Sequence, residues 1–158
     1  MNDAHFHLAI NHLPIVGLLI GILTLLTGLI LKKEDVKLTA LVIFIFSAIT
    51  SIVAFYTGEG AEEAVENIAG VSETLIHAHE ENAESFFTLT LILGGLSLIS
   101  FVVEVKKLKL SKYLMLVCLF LAIADGILAK YVGTSGGEIR HSEIRIDAKT
   151  IPLEEVDD

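Results

Sequence analysis

Six histidines, His5, His7, His12, His77, His79 and His141, carry most of the chemistry this sequence can offer. A neutral imidazole ligates haem iron, zinc, copper or non-haem iron, and its proton exchanges near neutral pH. His5-Phe6-His7 precedes one apolar run with His12 at its mouth, His77-Ala78-His79 precedes another, and His141 follows the last. His7 and His12 are too far apart in helical phase to share a face as an i, i+4 zinc pair does, so they serve different partners. Two sites fit. In a b-type haem site, His7 or His12 pairs with His79 across facing helices, apolar residues cover the macrocycle and polar groups meet the propionates. In a transition-metal site, His7, His12, His79 and His141 combine with Glu62, Glu80 or Glu138 in a nitrogen and oxygen set suited to zinc, copper or iron. Carboxylate abundance favours the second, and the apolar setting of His79 favours the first.

The elements that must hold these residues are set by hydropathy. The chain has 158 residues, of which 53% are hydrophobic, and a mean hydropathy of +0.71, too apolar for a water-soluble globule of this length. Apolar stretches at 13–31, 38–57, 86–103 and 113–132 each approach the ~20 residues that cross ~30 Å of hydrocarbon. The expected fold is therefore all-α: an integral membrane four-helix bundle at 1–133, a lipid bilayer its first partner, followed by a tail at 134–158. A net charge of −9 excludes nucleic acid, because phosphate binding needs clustered basic residues. The single cysteine, Cys118, lies in an apolar run and reads as a small core residue. No phosphate loop, nucleophile motif or catalytic triad is legible.

Lys32, Lys33 and Lys37 follow the first span, and Lys106, Lys107, Lys109 and Lys112 follow the third. The positive-inside rule makes that face cytoplasmic and leaves both termini and all six histidines outside. The expected location is a bacterial inner membrane, multi-pass, with a periplasmic tail. Met1 to His12 has no Lys or Arg, so the first span does not read as a cleavable signal peptide. Tyr56, Tyr113 and Tyr131 fall near span ends, where amphipathic rings favour the headgroup region.

The two halves repeat. His7 and Asn11 correspond to His79 and Asn82, and Ala54 to Gly58 corresponds to Ala129 to Gly133, as in parallel repeats related by an axis along the membrane normal. Residues 61–85 read as an outer amphipathic segment, split by Gly70 into two helices, the second starting at Ser72-Glu73. On that helix Leu75, His79, Asn82 and Phe86 share a stripe, which turns His79 towards the bundle, while His77 groups with acidic residues on a solvated face. Asp125 sits two turns inside span four and must face the interior, protonated or paired, as a proton relay or as a packing hydrogen bond. Thr134-Ser135-Gly136-Gly137-Glu138 reads as the end of the fourth helix and would fold His141 back over the bundle mouth. Ile144, Ile146 and Ile151 suggest a short extended segment, and Glu154 to Asp158 reads as disordered.

His7-Leu8-Ala9-Ile10-Asn11-His12-Leu13-Pro14-Ile15 and Gly136-Gly137-Glu138-Ile139-Arg140-His141 resemble the bacterial membrane family known as domain of unknown function 2231. That family opens its first span with His-Pro followed by His-Phe-Pro-Ile and ends its fourth with Gly-Gly and a further His; here Leu8 replaces the Pro and Leu13 the Phe. Its fusion to Rieske iron-sulfur domains implies redox work at the membrane. The expectation from residues and resemblance together is a haem b or redox protein with a site at the periplasmic boundary, transferring electrons to a partner protein. The alternative is a metal-binding or metal-handling protein, and the third reading is a subunit of a homo- or hetero-oligomeric complex without catalysis. Whether it is an enzyme stays open. Cysteines introduced at Asn2 and at Lys107 should label from opposite sides of the membrane, the Asn2 site from outside; external labelling of the Lys107 site would overturn this topology.

Overall fold

The computed structural model describes residues 3–65 and 71–145. Almost all of them are helical: α1 (Asp3–Ile10), α2 (His12–Ile30), α3 (Glu34–Val65), α4 (Glu73–Val105) and α5 (Ser111–Arg140), then one 3₁₀ turn, Ser142–Ile144. With no water in hydrocarbon to pair backbone groups, a spanning segment must close its own hydrogen bonds, which a helix does. Four helical stretches are long and apolar enough to cross a bilayer, Ala4–Ile30, Glu34–Ala64, Glu73–Val105 and Ser111–Arg140, so the chain is a multi-pass membrane protein. α2 packs on α3 and α5, and α4 packs on α3 and α5, so the first and third spans stand diagonally across a ring of four. Leu23, Ile30 and Phe120 are two-thirds or more exposed, as side chains facing lipid must be.

α1 and α2 are close to one helix. Asn11 N–H donates to the His7 carbonyl at 2.8 Å, but Pro14 has no N–H for the Ile10 carbonyl, and the regular ladder lapses at Asn11. The helix therefore reaches back past His7, whose position no longer depends on where span one starts.

α3 and α4 run 32 and 33 residues, about 48–50 Å at 1.5 Å per residue, and project well beyond ~30 Å of hydrocarbon. The helical segment expected at 61–85 is carried by these extensions, with the second helix starting at Ser72-Glu73 and continuous with the third span as expected. Residues 61–65 complete α3 and 73–85 begin α4, because their helical pattern is continuous with the spans; Gly70 lies outside the described residues. Ser72 does stand at the N-cap, but its side chain makes no cap bond. The expected break at Thr134 is corrected: α5 continues to Arg140. Ser135 Oγ donates to the Tyr131 carbonyl at 2.9 Å, keeping its polar group inside the helix instead of competing with it. Ile144 lies in the 3₁₀ turn rather than a strand, while Ile146, Ile151 and Glu154 to Asp158 lie outside the described residues.

Both hairpin turns at the lysine end are built alike. Lys32 and Lys107 adopt left-handed backbone conformations, φ 54° and 53°. The residue after each donates back across the turn, Lys33 to the Gly28 carbonyl at 3.0 Å and Leu108 to the Val103 carbonyl at 3.1 Å. These are Schellman caps, which satisfy helix-end carbonyls.

Small residues let the first hairpin close. A Cβ on Gly21 would stand 2.5 Å from the Phe44 ring, and Gly17 and Gly28 are as tightly covered by Ser47 and Lys37. The second hairpin uses polar rungs instead. Thr90 Oγ1 donates to Asp125 Oδ2 at 2.8 Å, Ser97 Oγ and Ser100 Oγ meet Cys118 Sγ at 3.9 and 3.3 Å, and Ser111 Oγ donates to Glu104, which also holds the Lys37 ammonium. Residues 90, 97 and 104 on α4 and 111, 118 and 125 on α5 recur every seven positions, so the rungs form one antiparallel seam. Asp125 is fully buried, facing the interior as expected, and its Oδ1 has no hydrogen-bond partner among the described residues. Leu93 and Ala122 are also fully buried, in the stretch of the two helices between the first and second rungs. Thr90→Val should cost about 0.6–1.7 kcal/mol in reversible unfolding in detergent, and Asp125→Asn should cost less because an amide oxygen still accepts from Thr90. Unchanged stability of Thr90→Val would show that this rung does not hold the helices together.

Candidate functional site

The histidine end brings two rings into defined settings. His7, on α1, points Nδ1 at the Ala54 carbonyl of α3 at 3.0 Å and at Thr57 Oγ1 at 3.2 Å. His79, on α4, points Nδ1 at Ser135 Oγ of α5 at 3.1 Å. Both hydroxyls are already committed as donors: Thr57 to the Val53 carbonyl at 2.8 Å and Ser135 to the Tyr131 carbonyl at 2.9 Å. A carbonyl can only accept, and a hydroxyl whose proton is spent can only accept from a third group. These partners therefore put a proton on Nδ1 of each imidazole and leave the lone pair on Nε2. A glycine flanks each ring as well: a Cβ on Gly58 would stand 3.6 Å from His7 Cε1, and one on Gly136 would stand 3.0 Å from His79 Cε1.

The two cradles are the same device used twice, and they adjust the expected repeat. The residue equivalent to Thr57-Gly58 is Ser135-Gly136, one helical turn later than the alignment of Ala54–Gly58 with 129–133. Tyr56 and Tyr131 suggested that earlier register because they are conspicuous, yet both merely face outward. Measured from the left-handed lysines, the hairpins are symmetric: 25 residues separate His7 from Lys32 and Lys32 from Thr57, and 28 separate His79 from Lys107 and Lys107 from Ser135. Equal arms are what bring each histidine level with its hydroxyl.

The other expected site residues are placed differently. His12 is exposed, with Nδ1 against its neighbour Asn11 Oδ1. His77 is exposed and pairs with Glu80 at 3.1 Å, the solvated role expected of it. His141 does not fold over the bundle mouth: it is exposed and its Nδ1 lies 2.9 Å from Glu143, because α5 carries it past the mouth before the chain turns. Glu80 is exposed, and Glu62 and Glu138 are half-buried. Among the described residues no three of His, Cys, Asp and Glu converge as metal ligands. His7 and His79 are close enough to interact electrostatically, and Phe55 and Phe87 stack at 4.3 Å between α3 and α4. Sequence reasoning missed Thr57, Ser135 and their glycines; the signal was a hydroxyl-glycine pair at equal distance from the turn as the histidine.

No protein-family model matches the chain, and neither does a curated protein or a solved structure. The geometry therefore carries the functional argument. Nitrogen-15 NMR of the histidine-labelled protein at neutral pH should show two rings protonated at Nδ1 and not at Nε2, with the His79 signal changed by Ser135→Ala. Nε2–H tautomers at both positions would overturn the cradle as described.

Proposed function

We propose that the protein is a membrane-embedded b-type haem or redox protein whose axial ligands are His7 and His79. The observation that carries this reading is the matched pair of Nδ1–H donors, which leaves two Nε2 lone pairs on diagonally placed helices of one bundle. Ligating histidines are held in this way, the second ring nitrogen donating to a carbonyl or hydroxyl that fixes the tautomer and raises ligand basicity. Haem would supply one-electron transfer, with bis-imidazole ligation and burial setting its potential. The chain's own part is to fix two ring orientations through Ala54, Thr57 and Ser135, and to leave room at Gly58 and Gly136 for the rings to approach the helices. A two-imidazole site suits haem better than zinc, which takes three or four protein ligands. The lysine turns support an inner-membrane orientation with His7 and His79 at the periplasmic boundary. The likeness of residues 7–15 and 136–141 to domain of unknown function 2231, with its Rieske fusions, points towards the same chemistry.

The purified protein, supplied with haem, should give a sharp reduced α-band that is lost in His7→Ala and in His79→Ala and kept in His12→Ala and His77→Ala. Thr57→Val and Ser135→Ala should keep the band but shift the reduction potential, because each ligand loses an orienting partner. Retention of the full spectrum in His79→Ala would defeat the site. Stoichiometric zinc or copper binding without haem, lost on changing Glu62 or Glu138 as readily as the histidines, would establish the metal-handling alternative.

A further inference from the structure

The opposite end of the bundle holds a cavity of about 320 Å³, within the range of small-ligand sites. It is lined by Lys37, Lys107, Lys109 and Lys112, with Glu34 and Glu104 as the acidic members and Leu29 and Leu108 as apolar ones. Glu104 is already neutralised: it holds the Lys37 ammonium and accepts from Ser111 Oγ. Against the single remaining carboxylate of Glu34 stand three lysines. None of the three is bridged to a carboxylate among the described residues, and Lys112 lies 4.7 Å over its neighbour's ring, Tyr113. Lys107 is held in place by the left-handed turn. The first turn of α5 closes on backbone carbonyls, Ser111 N–H donating to Leu108 at 3.0 Å and Tyr113 N–H to Leu110 at 3.0 Å, so the lysines are the donors the cavity offers.

We propose that this cavity binds a phosphate group at the membrane boundary, with the headgroup of an anionic phospholipid as the form in which it is presented. Surplus lysine charge and the apolar side chains of Leu29 and Leu108 line the same cavity, the first suited to a phosphodiester and the second to the start of its acyl chains. A soluble phosphate would use the lysines but not the apolar side chains.

The test uses the full chain in a neutral detergent, titrated with phosphatidylglycerol, phosphatidylcholine or inorganic phosphate while thermal unfolding is followed. Phosphatidylglycerol should stabilise saturably and phosphatidylcholine should not. In Lys109→Gln/Lys112→Gln the midpoint concentration should rise about tenfold or more, given the attraction each lysine exerts on an anionic headgroup. The pair Lys33→Gln/Lys106→Gln removes equal charge from the same face outside the cavity and should leave the midpoint within about twofold. Saturable stabilisation by inorganic phosphate alone, lost in the first pair, would assign the site to a soluble phosphate and overturn the lipid assignment. Equal response to both lipids in the unmodified protein, or equal loss in the two pairs, would overturn the site altogether. The comparison of lipids in the unmodified protein stands even where a variant fails to fold.

Discussion

Everything in this bundle follows from the absence of water in the hydrocarbon that its helices must cross. A polar group that enters hydrocarbon must find its partner inside the protein or on its own helix, and the partner within reach is usually a backbone carbonyl one turn back. Thr24, Thr27, Ser47, Thr50 and Ser100 all bond back to carbonyls in this way. Where two helices touch, the same need becomes an interhelical bond, as between Thr90 and Asp125. At the histidine end it becomes a chain of three: ring to hydroxyl, hydroxyl to carbonyl. Each imidazole is thus orientated by a helix that had to satisfy its own hydroxyl first.

The two hairpins solve the packing problem by different means. Glycine against Phe44 and Ser47 draws α2 and α3 together by removing side chains, whereas α4 and α5 meet through polar rungs at heptad spacing. Lys37 then ties the hairpins to each other by reaching from α3 to Glu104 on α4. A buried ion pair contributes little net stability against an apolar substitute, but it is costly to break, and it fixes which turn of α3 faces which turn of α4.

The fold was legible because hydropathy over ~20 residues is a strong signal and the bilayer leaves helices as the answer for such a chain. The inward turn of His79 and the outward turn of His77 followed from helical phase, and the burial of Asp125 from the cost of a carboxylate in hydrocarbon. Helix ends were not legible, since Thr134-Ser135-Gly136-Gly137 has the composition of a breaker, and neither the back-bond of Ser135 to Tyr131 nor the packing of Gly136 on His79 is visible in composition. The site was half legible. Residue type marked the histidines, but their partners Thr57 and Ser135 lie 50 and 56 positions away, and nothing local in the sequence ties a ring to a hydroxyl at that distance. The Lys37–Glu104–Ser111 junction was hidden for the same reason.

The lysines at the two left-handed turns have a consequence for how the chain sits in its bilayer. Glycine would sit there without strain, and a side chain at positive φ costs about 1 kcal/mol. The chain carries that cost at both reversals, Lys32 and Lys107. A charge at the apex of a hairpin resists being drawn through hydrocarbon, which couples the two arms of each hairpin at the reversal. Each hairpin also holds one histidine together with its hydroxyl, so each ring's cradle is complete within its own half of the bundle.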